Sequence, residues 1–360
     1  MLNGEIGRIH FAMGNSLEDS GGLNRVVKGF ANAQANLGFT VNVIDKIGLR
    51  GYHSTPIYPL EVPEAEIDFR KFRGEVQHFH FAYTFEIMRY IHKLKIRDGG
   101  MRIFHFHGPW SGEGIASGDG LLRSRLKKII ENDAYSQFDC FWTASAAFAS
   151  ILSSDYGVPD KKILSLGFGV DTKRFRRSYE QNQSQKVKYQ IGTVRRLEKR
   201  MGIEYLIEAL KYLPDSVLSI AGVGSYSEEL KSLVLNLNLN DRVNFLGYLP
   251  ENDLPSFYSN LDVCVIPSTS FEGFSATALE SFACGTPVLA SDIGGLRESV
   301  GMLSRELLFQ PQSSMAIVKA IQRLRNSKKS SAEVYRKYAE QFEWIPKTVE
   351  LENWIFKNSL

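Results

Sequence analysis

Short runs of β-branched and aromatic residues alternate with stretches of helical period along this whole chain, and that alternation restricts the fold more than any other feature. Runs such as VNVI, DVCVI and PVLAS are too short for helices and apolar throughout, as strands are when both faces are covered. Strands alternating with helices make parallel sheets packed between helix layers, so the class is α/β. Strands are predicted at 7–13, 40–45, 76–81, 101–107, 138–144 and 163–168, and again at 189–194, 217–221, 243–248, 261–267, 287–291 and 307–309. Between the two sets lies TKRFRRSYEQNQSQKVK, which has no apolar period and reads as a linker over 172–187. With 360 residues there is length for two core-bearing domains, 1–171 and 188–340. The stretch 331–356 reads as a terminal helix or helix pair interrupted near Pro346.

Composition narrows the partners. Forty-three basic residues against forty acidic ones leave a net charge of +3, too even for a nucleic-acid-binding chain without a clustered patch. Cys140, Cys264 and Cys284 lie in apolar strings without a CxxC spacing, which predicts buried free thiols in a reducing compartment. No run of eighteen uncharged apolar residues occurs, and the first residues lack a basic stretch leading into a long apolar one. The expectation is a cytoplasmic protein.

Ligands of open parallel sheets bind beyond the carboxyl ends of the strands, where helix N-termini present free N–H groups. A cleft between the two domains is the expected site. The string LDVCVIPSTSFEGFSATALESFACGTPVLASD has that layout: a buried strand, a loop with Glu272, Gly273 and Phe274, a helix with Glu280, and a turn into the next strand. Two Glu residues eight apart span roughly 12 Å on a helix, about the reach of a nucleotide sugar. In that reading Glu280 accepts from two ribose hydroxyls, the amides of Phe274, Ser275 and Ala276 meet a diphosphate, and Glu272 accepts from sugar hydroxyls. Gly273 lets backbone come close to the ligand. The plainer reading is one Glu favoured by the helix dipole and another solvated on the outer face.

EGFSATALE followed by ACGTPV resembles the Glu-x7-Glu signature of glycosyltransferase family 4. GVDTKRF, RRLEKRMGIEYLIEAL, LSIAGVGSYSEEL, VNFLGYLP, IGGLRE and LLFQP are similar to family segments in the same order. The resemblance implies a GT-B fold, two Rossmann-like domains whose parallel sheets face a cleft. The first domain would take the acceptor, the second the nucleotide-sugar donor, and a C-terminal helix over 341–360 would pack back on the first domain. It further implies transfer from a UDP- or GDP-sugar to a hydroxyl of a saccharide or lipid-linked acceptor, with retained anomeric configuration, as in cell-surface polysaccharide or glycolipid synthesis. Leu249 would touch the base through its backbone.

Arg195, Arg196, Lys199 and Arg200 follow the first strand of the second domain, where Arg can meet a diphosphate bidentately. The family places an Arg and a Lys five apart here, the Lys just before a Gly. This chain has Met201 before Gly202, so the pair at that separation is Arg195 with Arg200, and Arg196 is a further donor contact. In the first domain, Gly21 and Gly22 make a tight strand-to-helix connection or, by resemblance, a loop facing the donor phosphate. The strand end IFHFHGPW puts His105 and His107 on one side; by resemblance His107 contacts donor sugar or phosphate, while His78 and His80 read as structural. Two His on one strand lack a third ligand and no Asp-x-Asp occurs, so neither metal nor cofactor is expected. The basic stretches EIMRYIHKLKIR and LLRSRLKKII read as solvated faces or as a peripheral contact with the inner face of a membrane. A sugar-nucleotide epimerase, an NAD-dependent oxidoreductase and an inactive donor-binding subunit remain as alternatives. Absence of GxGxxG speaks against the oxidoreductase.

Overall fold

The computed structural model describes residues 7–12, 22–44, 49–52, 75–80, 100–177, 188–327 and 331–358. The chain divides into two compact units: Met1–Ser111 with Gly120–Gly169 and Trp344–Leu360, and Gly112–Asp119 with Val170–Glu343. Both are α/β, as the alternation dictates.

The first unit is built on β1 (Arg8–Phe11), β2 (Val41–Ile44), β3 (Leu49–Tyr52), β4 (Val76–Phe79), β5 (Arg102–Phe106), β6 (Cys140–Thr143) and β7 (Ile163–Ser165). The sheet order is β3-β2-β1-β4-β5-β6-β7, parallel except for β2 against β3. The purely parallel sheet expected from the sequence is therefore corrected at this edge. LRGY has no β-branched residue and no apolar alternation, so nothing local announced β3; an antiparallel edge strand on a parallel sheet is common. Side chains alternate across β1, β4 and β5, sending Ile9, Phe11, Phe79, Phe104 and Phe106 to one core and His10, His78, His80 and His105 to the other face. That second face carries α1 (Gly22–Asn36) and a C-terminal helix, Trp344–Asn358, which pack on each other. Trp344 meets Phe30 edge-on at 5.2 Å between ring centroids, in space left by the missing side chains of Gly29 and Gly169. Pro346 lies in the first turn of this helix, where its missing N–H removes no intrahelical bond. Three helices follow β5 and β6: α2 (Trp110–Ala116), α3 (Leu121–Tyr135) and α4 (Ala146–Tyr156).

The second unit holds β8 (Tyr189–Val194), β9 (Ser216–Ala221), β10 (Val243–Gly247), β11 (Val263–Ile266), β12 (Val288–Ser291) and β13 (Leu308–Phe309). Their order is β10-β9-β8-β11-β12-β13, all parallel. Counted within this unit the order is 3-2-1-4-5-6, so the direction of winding reverses between β8 and β11. The helices are α5 (Ile203–Ala209), α6 (Ser227–Asn236), α7 (Leu254–Asn260), α8 (Ala276–Ala283), α9 (Leu296–Ser299), α10 (Ser314–Asn326) and α11 (Ala332–Glu340); the C-terminal helix is α12. The described part of the polar stretch after Gly169 is tied down rather than loose: Val170 pairs with Glu343, Phe175 is buried, and Arg336 donates to the carbonyls of Thr172, Phe175 and Ala283. All three cysteines are buried and free.

Candidate active site

The reversal point of the second sheet gathers most of the sequence-identified residues. Strand β11 (VCVI) is buried throughout, and beyond Pro267 the chain turns toward α8. Phe271 sits there at φ +45°, a left-handed conformation that costs energy for an aromatic residue and persists only where neighbours enforce it. Those neighbours are visible. Arg200 Nη1 donates to the Phe271 carbonyl at 3.3 Å, and the Gly295 amide donates to the Glu272 carbonyl at 2.9 Å. Gly294 (φ +45°) lies so close to that carbonyl that any side chain would collide with it.

Held this way, the Glu272 carboxylate pairs with Arg195 and accepts from the Ser268 hydroxyl at 2.8 Å. Arg195 Nη2 also donates to Ser268 Oγ at 2.7 Å. The two charged side chains are 8% and 11% exposed, so their attraction is little screened by water. Burial pushes the Glu272 carboxyl up, but Arg195, Ser268 and Arg200 outweigh it and hold it below its ordinary value.

Arg200 reaches the same loop because Lys199–Met201 form a 3₁₀ turn closed by Gly202 at φ +66°. A side chain at Gly202 would run into the Pro267 carbonyl. The turn sends Arg200 inward, Lys199 outward and the Met201 sulfur against Arg195 Nη2 at 3.0 Å. Arg196 points to solvent with an ion pair to Glu198 at 3.2 Å. Of the four cations, only Arg195 and Arg200 converge on the Glu272 loop. Arg200 is paired with Glu198 (3.5 Å) and Glu113 (3.4 Å), the latter absent from the sequence reading; burial raises the Glu113 carboxyl against the opposing pull of Arg200 and Arg196.

Helix α8 starts without a side-chain cap, and the buried Ser275 hydroxyl has no hydrogen-bond partner. Thr277 Oγ1 donates to the Val194 carbonyl at 3.2 Å, pinning the helix start beside the end of β8. Gly273 is half-buried, and the Phe274 ring packs on Phe342. Glu280 is 3% exposed and accepts from the Tyr258 hydroxyl at 2.9 Å, which rules out the solvated outer-face reading. Leu249 follows β10, half-buried at the same carboxyl edge.

In the first unit His107 directly follows β5, half-buried, with burial pulling its pKa down to about 4. The following turn is anchored by Glu131 of α3, which accepts from the Trp110 and Ser111 amides at 2.7 and 3.3 Å. Gly22 opens α1 and faces open space; Gly21 and the basic stretch 86–97 lie outside the described residues. His78, His80 and His105, placed by the sequence reading as separate structural residues or a strand-end candidate, join His107 in one hydrogen-bonded cluster. The signal was there to find: RIHF, VQHFH and IFHFH repeat a histidine on alternate positions of neighbouring strands, and His10 pairs in register with His78. Among the described residues no group of three or more His, Cys, Asp or Glu side chains is placed to hold a metal ion.

Two sequence profiles match nearly end to end, "Glycosyltransferase Family 4" over residues 20–174 and "Glycosyl transferases group 1" over residues 175–342. A GDP-mannose-dependent α-(1-6)-phosphatidylinositol monomannoside mannosyltransferase of Mycolicibacterium smegmatis is 32% identical over half of each chain. The chain spans about half the length of the curated relatives it matches. Among solved structures, sucrose-phosphate synthase from Thermosynechococcus elongatus superposes over 98% of both chains with a TM-score of 0.80 at 20% identity. An Anabaena protein crystallised with UDP superposes over 98% of this chain and 100% of its own, with a TM-score of 0.74 at 17% identity. The chain shares the GT-B fold of sucrose-phosphate synthase.

Proposed function

Because this chain belongs to glycosyltransferase family 4, we propose that it moves a glycosyl group from a nucleoside diphosphate sugar to a hydroxyl acceptor with retention of configuration. One observation supports this above others: Arg195, Arg200, Glu272 and the uncapped start of α8 meet at the reversal point of the second sheet. The bond between the anomeric carbon and the diphosphate oxygen breaks, and the acceptor oxygen bonds to that carbon from the same face. The departing phosphate oxygen takes the acceptor proton, so no protein nucleophile and no metal are required. Arg195, Arg200 and the amides of Ser275 and Ala276 stabilise the growing negative charge. Glu280 accepts from ribose hydroxyls, Glu272 from hydroxyls of the transferred sugar, and Leu249 borders the base. His107 meets a substrate hydroxyl, and Gly21 and Gly22 allow backbone approach to phosphate. The second unit takes the donor and the first the acceptor.

Both arginines face carboxylates, so the diphosphate competes with Glu272, Glu198 and Glu113. That sharpens a thermal-shift experiment with UDP, GDP, ADP and their sugars. At 100 times its dissociation constant a nucleotide adds about 2.7 kcal/mol, a shift of a few degrees. Glu280→Ala is expected to lose most of that shift. Glu272→Ala keeps or increases it with the bare nucleotide, since Arg195 is released, yet loses transfer. If both variants lose the bare-nucleotide shift equally, this division of roles is wrong; if no nucleotide shifts the wild type, so is the donor assignment.

Helix α3 bears on the acceptor. Its polar residues Ser124, Lys127 and Glu131 face inward, whereas Leu121, Leu122, Leu126 and Ile129 face water, Leu122 at 75% exposure, among the exposed Arg123 and Arg125. An apolar stripe flanked by cations on an outer face suits an anionic bilayer surface and hence a lipid-linked acceptor. No described helix is long and apolar enough to cross a membrane. Sedimentation with vesicles containing phosphatidylglycerol is expected to carry the protein down, and Leu122→Glu with Leu126→Glu to abolish this. Equal sedimentation of both proteins removes the proposal.

A further inference from the structure

Five histidines and one glutamine form a continuous hydrogen-bonded relay behind the first sheet. Glu352 of α12 is buried and held by Arg8, whose Nε lies 3.2 and 3.1 Å from its two oxygens and whose Nη2 lies 2.6 Å from Oε2. Its Oε1 also accepts from Gln34 Nε2 at 2.7 Å. Gln34 Oε1 lies 2.6 Å from His10 Nε2, His10 Nδ1 lies 2.8 Å from His80 Nε2, and His80 Nδ1 lies 3.4 Å from His107 Nε2. A branch runs from Gln34 Nε2 to His78 Nε2 at 3.2 Å and from His78 Nδ1 to His105 Nε2 at 2.9 Å.

Hydrogen-bond polarity propagates along such a chain. A carboxylate only accepts, so the Gln34 amide must turn its NH₂ toward Glu352 and its oxygen toward His10. That oxygen requires a proton on His10 Nε2; His10 Nδ1 then accepts, so His80 carries its proton on Nε2 and accepts on Nδ1. By the same step His107 carries its proton on Nε2. Burial keeps all five rings neutral near pH 7, the condition under which each ring donates once and accepts once.

We propose that Gln34 and Glu352 are positioning residues that set the tautomer of His107 through His10 and His80, leaving His107 Nδ1 as a hydrogen-bond acceptor for a substrate hydroxyl. The proposal rests on His107 meeting substrate, as argued above. It assigns His107 a hydroxyl partner rather than a phosphate oxygen, which an unprotonated nitrogen would repel.

The test reads the ring directly. In protein labelled with ¹⁵N-histidine, long-range ¹H–¹⁵N spectra distinguish Nε2–H from Nδ1–H rings. Wild type is expected to show His107 in the Nε2–H form. Glu352→Gln turns its amide NH₂ toward Gln34, flips that side chain and reverses every ring to His107, which then appears as Nδ1–H. Transfer falls roughly ten- to hundredfold in kcat/KM while the nucleotide thermal shift, a property of the second unit, stays. The swapped pair Gln34→Glu with Glu352→Gln again offers His10 an acceptor and restores Nε2–H. Gln34→Met leaves the Arg8–Glu352 pair intact, covers the case in which Glu352→Gln does not fold, and is expected to give a mixture of both forms. A single Nε2–H form persisting in Glu352→Gln or Gln34→Met overturns the proposal, as does a reversed ring with unchanged kcat/KM. A separate variant, His107→Phe with full transfer, would instead remove the substrate role of His107 and leave the tautomer result standing.

Discussion

Arg195→Ala is expected to lower glycosyl transfer by about a hundredfold or more while nucleotide-sugar binding weakens less. Among the described residues the guanidinium is the one cation bonded directly to Glu272, and its Nε has no hydrogen-bond partner there. Removing a preorganised donor aimed at a developing anion typically costs about 10²–10³ in rate. The same change strips Glu272 of its counter-charge in a poorly solvated place, and breaking a buried ion pair costs about 3–5 kcal/mol. Part of any activity loss could therefore come from unfolding. The double variant Arg195→Ala with Glu272→Gln isolates the stability effect, because it leaves no unpaired charge. Melting temperature should recover in the double variant and transfer should not. Recovery of both would mean that the pair only holds the 268–274 loop in shape.

The second large effect is a loss of stability in mild acid, specific to the first unit. His10 and His107 are pulled from 6.5 down to about 4, and His78, His80 and His105 well below 6.5, each chiefly by burial. The unfolded chain therefore binds more protons than the native one below pH 6.5. Stability is complete above that value and is lost as pH falls toward about 4. For one such ring the loss between pH 6.5 and 5 amounts to about 2 kcal/mol, and because a charged ring repels its neighbours, coupling among the rings adds to the loss. Glu272, held below its ordinary value, shifts stability only at more acid pH and so leaves this window clear. Hydrogen exchange at pH 7 and pH 5 should show protection falling in β1, β4 and β5 while β8, β9 and β11 keep theirs. Equal protection at both pH values would show that the rings are charged or solvated.

Twelve of the thirteen described strands were legible because all but β13 carry a β-branched residue between helical stretches, and β13 falls in the apolar run LLF. LRGY was not, since it has no β-branched residue and no apolar run, and its place in the sheet comes from antiparallel pairing with β2. The candidate site was legible in position but not in detail. RRLEK places four cations after β8, yet which of them face the Glu272 loop depends on a 3₁₀ turn whose direction is enforced by Pro267, sixty-five residues beyond Gly202. By its spacing alone Glu280 suited a solvated face better; its burial depends on Tyr258 and on the strands under α8. The histidines were each visible, but a lone ring in a strand carries no sign of its partners.

What the sequence alone determined is the α/β class, the family and the carboxyl-edge position of the Glu272–Glu280 segment, because periodicity and motif order are local and survive without knowledge of neighbours. Only the tertiary structure decided the partnerships that give those residues their chemistry. Glu272 is paired with an arginine 77 positions away and Arg8 with a glutamate 344 positions away. Charge and hydrogen-bond polarity act over a few ångströms of space, a distance that separation along the chain does not encode.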